Sequence, residues 1–275
     1  MDTHCHNDVD IPIKPGTGEI VHIREAEFSP GRFIVIAGPC AVESRSQITA
    51  AAKAVRAEGA HVLRGGAFKA RTCPASFQGL GMEGIAMLRE AADTAGMPMI
   101  SEVLSERDIE RIEQHVDAFQ VGSRNMDNTA LLKELGTTRK PILLKRGFAS
   151  TIREWLFAAE YITQGGNNQV ILCERGIRTF SDSTRFTLDL AGAVHAKQLT
   201  TLPVIVDPSH ATGSTGLIPH MAAATLAAGL DGLIVEVHPD PPNALSDAQQ
   251  AMSFDQFHSM MSRLRPLAAN FGRTI

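Results

Sequence analysis

The sequence predicts a closed (β/α)8 barrel, a TIM barrel, with a short N-terminal β-hairpin extension. Three observations carry this. Eight short apolar runs alternate with eight segments whose apolar residues recur at three- and four-residue spacing, the rhythm of βα units on a parallel sheet. No linker, low-complexity tract or composition shift interrupts the series over the 275 residues, so one closed barrel is favoured over a doubly wound open sheet. Finally, each of the eight runs ends in a polar or reactive residue, as expected where a barrel gathers its working groups at the carboxyl ends of its strands.

Residues 1–30 are read as an N-terminal arm and hairpin, and residues 31–275 as the catalytic barrel. Met1 to Lys14 is polar and is expected to be a mobile arm; its His4, Cys5 and His6 lack further ligands nearby and are read as part of that arm. Glu19 to Ile23 and Arg24 to Phe28 read as the two hairpin strands. The barrel strands are expected at Phe33–Ala37, His61–Leu63, Met99–Glu102, Ala118–Val121, Ile142–Lys145, Gln169–Cys173, Val204–Val206 and Leu233–Val237. Helices are expected at Ser46–Glu58, Met82–Ala95, Glu106–His115, Asn128–Leu135, Thr151–Thr163, Ser183–Lys197, Thr215–Ala228 and Phe254–Asn270. After the second strand, Gly65 and Gly66 allow a tight turn, and Pro74, Gly79 and Gly81 keep the following loop from becoming helix.

Bulk properties narrow the function. A formal charge of −4 gives no overall attraction to nucleic acid or to an anionic membrane, so any anion site must be local. No apolar run approaches the roughly 18–20 residues that span a bilayer, and the acidic, polar start is unlike a signal peptide; a cytoplasmic protein is expected. Cys5, Cys40, Cys73 and Cys173 are widely spaced with no CxxC pair, which argues against a disulfide framework or a zinc knuckle. Cys173, inside an apolar run, reads as core, and Cys73 as a loop thiol.

The strand ends divide by chemistry. Arg64, Lys69, Arg71, Arg124, Lys145 and Arg175 are cations from four strand ends, a number that calls for a strongly anionic ligand: two phosphates, or a phosphate and a carboxylate together with a second phosphate. A lysine among like charges has its pKa lowered and can exchange a proton. Arg146 is read instead as a rim ion pair with an acid such as Glu174. The second group is Cys40, His210, Glu236 and an acid of the last loop, either Asp240 or Asp247, a mixed S, N and O set suited to Mn, Fe, Co or Zn.

Seven stretches together carry a resemblance: IAGPCAVES at 36–44, LRGGAFKARTCPASFQGLG at 63–81, QVGSRNM at 120–126, ILLKRG at 142–147, LCERG at 172–176, VDPSHATG at 206–213 and LIVEVHPDP at 233–241. In this order they resemble the 3-deoxy-D-arabino-heptulosonate 7-phosphate (DAHP) synthases of the type I beta class. The resemblance implies condensation of phosphoenolpyruvate (PEP) with erythrose 4-phosphate, the first step of the shikimate route. It implies a divalent metal on Cys40, His210, Glu236 and Asp247, PEP contacts from Arg64, Lys69, Arg124, Lys145 and Arg175, and aldose phosphate contacts from Arg71 and Thr72. Lys69 is the implied proton donor, with Cys40 and His210 as further catalytic residues. It also implies a homodimer or homotetramer and, with about thirty residues ahead of the barrel, no built-in feedback by aromatic amino acids.

Two departures bear on the aldose: Ala70 stands where the family commonly has Pro, and Cys73 replaces a small hydroxyl. The alternatives are the sister condensation with arabinose 5-phosphate, which gives 3-deoxy-D-manno-octulosonate 8-phosphate (KDO8P), and a metal-dependent phosphosugar aldolase. Arg71-Thr72 favours the four-carbon sugar over the five-carbon one, and the size of the cation set argues against a simple aldolase. A barrel that only binds a partner or senses metabolites is disfavoured, because the ligand and cation sets are both complete.

Overall fold

The computed structural model describes residues 20–70 and 73–275. The first element is an antiparallel pair, β1 (Val21–Ile23) and β2 (Ala26–Phe28), in which Val21 faces Phe28 and Ile23 faces Ala26. The turn between them places Arg24 at φ 52°. Eight parallel strands then close on themselves: β3 (Ile34–Gly38), β4 (Val62–Arg64), β5 (Met99–Glu102), β6 (Ala118–Val121), β7 (Ile142–Lys145), β8 (Val170–Glu174), β9 (Val204–Val206) and β10 (Gly232–Glu236), with β10 pairing β3. The expected (β/α)8 barrel with its hairpin is therefore present, each strand within a residue of its predicted place.

The helices are α1 (Arg45–Ala57), α2 (Met82–Ala95), α3 (Ile109–Glu113), α4 (Thr129–Thr137), α5 (Ile152–Gln164), α6 (Leu190–Leu199), α7 (Pro208–Thr212), α8 (Ile218–Ala227) and α9 (Phe254–Asn270). Their starts are set by local chemistry. Ser44 caps α1, and Thr151 with Glu154 and Ser253 with Gln256 form reciprocal capping boxes on α5 and α9.

Three helix expectations need correction. The segment expected at Glu106–His115 is a 3-10 turn, Glu106–Asp108, followed by the five-residue α3. The helix expected from Ser183 begins only at Leu190, because the preceding residues fold back in an antiparallel bridge between Ile177 and Thr187, and Asp189 caps α6 by accepting from the Gly192 N–H. The helix expected from Thr215 begins at Ile218, and the turn α7 precedes it, started by Asp207 accepting from the His210 N–H.

Two apolar layers result from strand alternation. One set, including Val35, Leu63, Phe119, Leu144, Leu172 and Val206, packs outward on the helices. The other, Ile34, Ile36, Val62, Ile100, Ala118, Leu143, Ile171, Cys173, Ile205 and Ile234, fills the barrel together with Val21, Ile23, Ala26 and Phe28 of the hairpin. The hairpin lies at the amino-terminal mouth: its His22 N–H donates to Gln169, and Arg24 pairs with Asp117, both just ahead of strands. With that mouth closed by apolar residues, the charged groups gather at the opposite end. No helix among the described residues is long and apolar enough to cross a membrane.

Candidate functional site

At the carboxyl end of the barrel Cys40, His210, Glu236 and Asp247 each bring a ligand atom to one point, all four lying within 4.8 Å of one another. Cys40 follows β3, His210 sits on α7, Glu236 ends β10, and Asp247 occupies a turn at φ 55°. The Cys40 thiol donates to Asp247 Oδ2 at 3.0 Å, and His210 Nε2 lies 3.2 Å from Glu236 Oε1 and 4.0 Å from Asp247 Oδ2. One sulfur, one imidazole nitrogen and two carboxylates at this spacing form a donor set that fits a first-row divalent metal. Of the two acids the sequence left open, Asp247 is in this group; Asp240 is exposed and accepts from Asn243.

The electrostatics match that use. Burial holds His210 below the ordinary imidazole range, against the opposing pull of the Asp207 and Glu236 carboxylates, and so favours the ring form that a metal ligand requires. Burial opposes the charge on both carboxylates, but His210 and the cations Arg64, beside Glu236, and Arg185, beside Asp247, outweigh it, so both ionise below the usual range. Burial, with the Glu236 carboxylate close by, pushes the Cys40 thiol up to about 12. A metal bound there would have to displace the thiol proton.

The cations ring this group. Arg64 donates to Glu236 Oε1 at 3.1 Å, and Lys69 Nζ donates to Cys40 Sγ at 2.9 Å and to the Cys40 carbonyl at 3.0 Å. Lys145 is paired with the buried Asp207, which also accepts from His210 Nδ1 at 2.7 Å. Contrary to the expectation of a lowered lysine, the Lys69 pKa lies above its ordinary value: burial works against the charge, and the Cys40 sulfur and Glu102 carboxylate outweigh it. Arg146 takes no part and is held in a buried pair with Glu174 and with Asp189, at 2.9 and 2.8 Å. The lone cysteines fall as read, Cys173 buried and Cys73 exposed.

Arg64, Lys69, Arg124, Lys145, Arg175, His210 and Asp247 all line one cleft of about 380 Å³. Cys40 and Glu236 do not line the cleft themselves but join its wall through Lys69 and Arg64, so the structure brings together every described candidate. Arg71 and Thr72 lie outside the described residues, as do His4, Cys5 and His6. Arg175 is buried, with its guanidinium carbon 4.8 Å from the Phe148 ring centroid and 4.3 Å from that of Phe186, and its Nη1 has no hydrogen-bond partner. A buried, cleft-lining N–H without an acceptor is the mark of a site shaped for a ligand oxygen.

Sequence reasoning missed several lining groups: Phe148, Phe186, Arg178 and Arg185. Arg178 lies over the Phe148 ring at 5.4 Å and lines the cleft. Arg185 was hidden inside a predicted helix; the Ser and Asp residues just ahead of it were the available sign of a loop.

With that geometry in place, comparison with known proteins is direct. The chain belongs to the DAHP synthetase I family, whose pattern matches residues 25–269. It is 45% identical over 253 residues to a phospho-2-dehydro-3-deoxyheptonate aldolase of Thermotoga maritima, covering 92% of this chain and 75% of that protein. The crystal structure of a Thermotoga maritima protein of that name, also called DAHP synthase, superposes with a TM-score of 0.90 at 44% identity over 93% of this chain and 75% of the other. A truncated form of the Thermotoga maritima synthase superposes at 0.87 with 41% identity, over 93% of this chain and 94% of the other. A 2-dehydro-3-deoxyphosphooctonate aldolase of Acidithiobacillus ferrooxidans is more distant, at 29% identity over 85% of this chain and 88% of that protein.

Proposed function

We propose that this chain is a 3-deoxy-7-phosphoheptulonate synthase, condensing PEP with erythrose 4-phosphate and water to give DAHP and inorganic phosphate. The observation that carries the reading is the meeting of a four-ligand metal group and a ring of cations in one cleft. An aldolase acting on a single phosphosugar has no need of so many positive groups. The relatives divide the same way, the heptonate enzyme at 45% identity against 29% for the octonate enzyme.

In this reading Arg64, Lys69, Arg124, Lys145 and Arg175 hold the phosphate and carboxylate of PEP, and Arg71 and Thr72 hold the aldose phosphate. Cys40, His210, Glu236 and Asp247 would hold a divalent Mn, Fe, Co or Zn ion, which supplies Lewis acidity toward the aldehyde oxygen when bound. The methylene carbon of PEP forms the new bond to the aldehyde carbon, and Lys69, protonated and facing the cleft, donates its proton to the resulting alkoxide. Water adds at the central PEP carbon, and the C–O bond to phosphate breaks as the keto group forms. Arg64 and Lys145 neutralise charge on PEP without having to reorganise, because Glu236 and Asp207 already fix them. The division into residues 1–30 and a catalytic barrel at 31–275, a cytoplasmic setting, and a homodimer or homotetramer belong to the same proposal.

The test is release of inorganic phosphate from PEP by metal-loaded protein with erythrose 4-phosphate, arabinose 5-phosphate or no aldose, each with and without a chelator. Chelator-sensitive release with the four-carbon sugar alone is the expected result. Release with arabinose 5-phosphate instead would assign the sister reaction, and none with either sugar would overturn the synthase reading.

A further inference from the structure

Two side chains outside the ligand quartet hold the far oxygens of its carboxylates. Asp247 turns Oδ2 toward Cys40 and His210, and its other oxygen, Oδ1, accepts from Arg185 Nη1 at 3.2 Å. Glu236 turns Oε1 toward His210, and its other oxygen, Oε2, accepts from the Gln250 amide at 2.7 Å. The same Arg185 Nη1 donates to Gln250 Oε1 at 2.6 Å. One chain therefore runs from Asp247 through Arg185 and Gln250 to Glu236, fixing the Gln250 amide so that its NH2 can only face the carboxylate. Gln250 is buried, whereas the Arg185 side chain is 40% exposed and also lines the anion cleft.

We propose that Arg185 and Gln250 are positioning residues that act as one clamp, orienting the ligand oxygens of Asp247 and Glu236 for the metal. This rests on the metal site proposed above. A carboxylate ligand has a freely rotating terminal torsion, so a free Asp247 would spread its two oxygens over many orientations. Holding the outer oxygen fixes the inner one, and partners of this kind carry about 10- to 100-fold of metal affinity where they have been removed from other sites. Because Arg185 comes from the loop after β8 and Gln250 from the loop after β10, the clamp also joins two segments that are distant in the chain.

The test is Co2+ titration of the full chain by competition with a chromophoric chelator, for the parent, Arg185→Gln, Arg185→Lys and Gln250→Leu. Arg185→Gln and Gln250→Leu should each weaken Co2+ about 10- to 100-fold. Their combination should be no worse than the weaker single variant, since both break one chain. Arg185→Lys, which keeps a cation able to donate to both acceptors, should recover part of the loss. The thiolate-to-cobalt absorption from Cys40 should persist in every variant at saturating Co2+, which separates misorientation of the carboxylates from collapse of the site. Unchanged affinity in both single variants, or simple additivity in the double variant, would overturn the clamp and leave the metal site intact. A parent protein whose Co2+ binding is unaffected by Cys40→Ala would overturn the metal reading, and the clamp with it.

Discussion

The carboxylate of Asp207 is fully buried and accepts from Lys145, from the His210 ring and from the His210 backbone N–H. Asn at this position keeps the shape and removes the charge that faces Lys145. Removing one partner of a buried pair costs about 3–5 kcal/mol, because the remaining charge has no counterpart. Asp207→Asn should therefore lower the urea midpoint by a matching amount; a midpoint equal to the parent's would mean that Lys145 finds another acceptor. His61, at the other end of the barrel, gives a pH dependence. Its Nδ1 accepts from the Val35 N–H at 3.1 Å, and burial, with Arg32 and Arg56 nearby, pushes its pKa down to about 4. The unfolded chain takes up that proton near the ordinary value of about 6.5. The stabilising contribution of neutral His61 is thus complete above that value and is lost as pH falls toward 4, a change of about 3 kcal/mol. The stability difference between the parent and His61→Asn, followed by urea unfolding from pH 7 to 4, should shrink across that window; a constant difference would rule out the mechanism.

The hairpin and the strand ends belong to the next scale. Ile23 is fully buried among barrel-lining residues such as Ile34 and Val62, far from the charged mouth. Ile23→Ala should cost about 2–5 kcal/mol in unfolding free energy while leaving turnover at saturating substrate unchanged. A fall in turnover with unchanged stability would contradict this separation of the two ends. Elements were legible in the sequence where one pattern dominated. The strands stood out because both faces are buried, as in Val170–Glu174, and the charges at their ends stood out because no apolar core could use them. The connection between β8 and α6 was misread because its bridge, Ile177 to Thr187, joins backbone groups on either side of the turn, and the helical spacing of the apolar residues outweighed the loop sign of Ser181, Asp182 and Ser183. Arg185 and Gln250 went unnoticed because their importance lies in hydrogen bonds between two loops more than sixty residues apart in the chain. Gly38 shows what a lone glycine conceals. At φ 149°, a Cβ there would run into the Arg64 carbonyl, so the close approach of β3 and β4 below Cys40 depends on its absence.

Across the whole molecule, charge is distributed against its own average. The chain carries −4, yet Arg64, Lys69, Arg124, Lys145, Arg175, Arg178 and Arg185 line a cleft whose lining carboxylates, among the described residues, are Glu102 and Asp247. A cleft of one sign focuses the field outward and raises the encounter rate of opposite charges by roughly 10- to 1,000-fold at low salt. The Debye length contracts from about 30 Å at 0.01 M to about 8 Å at 0.15 M, so this gain is screened over the range of ordinary buffers. Stopped-flow association of PEP, followed by the fluorescence of Trp155, whose indole N–H is bonded to the Leu144 carbonyl beside Lys145, should slow markedly as salt rises through that range. Arg178 is exposed at the rim and sits over Phe148, so it contributes to the outer field without a buried partner to support. Arg178→Gln should reduce the slope of association rate against salt while changing the dissociation rate little, since a rim charge acts mainly on encounter. A salt slope unchanged by Arg178→Gln, with a faster dissociation in its place, would instead make Arg178 a direct contact to the bound anion.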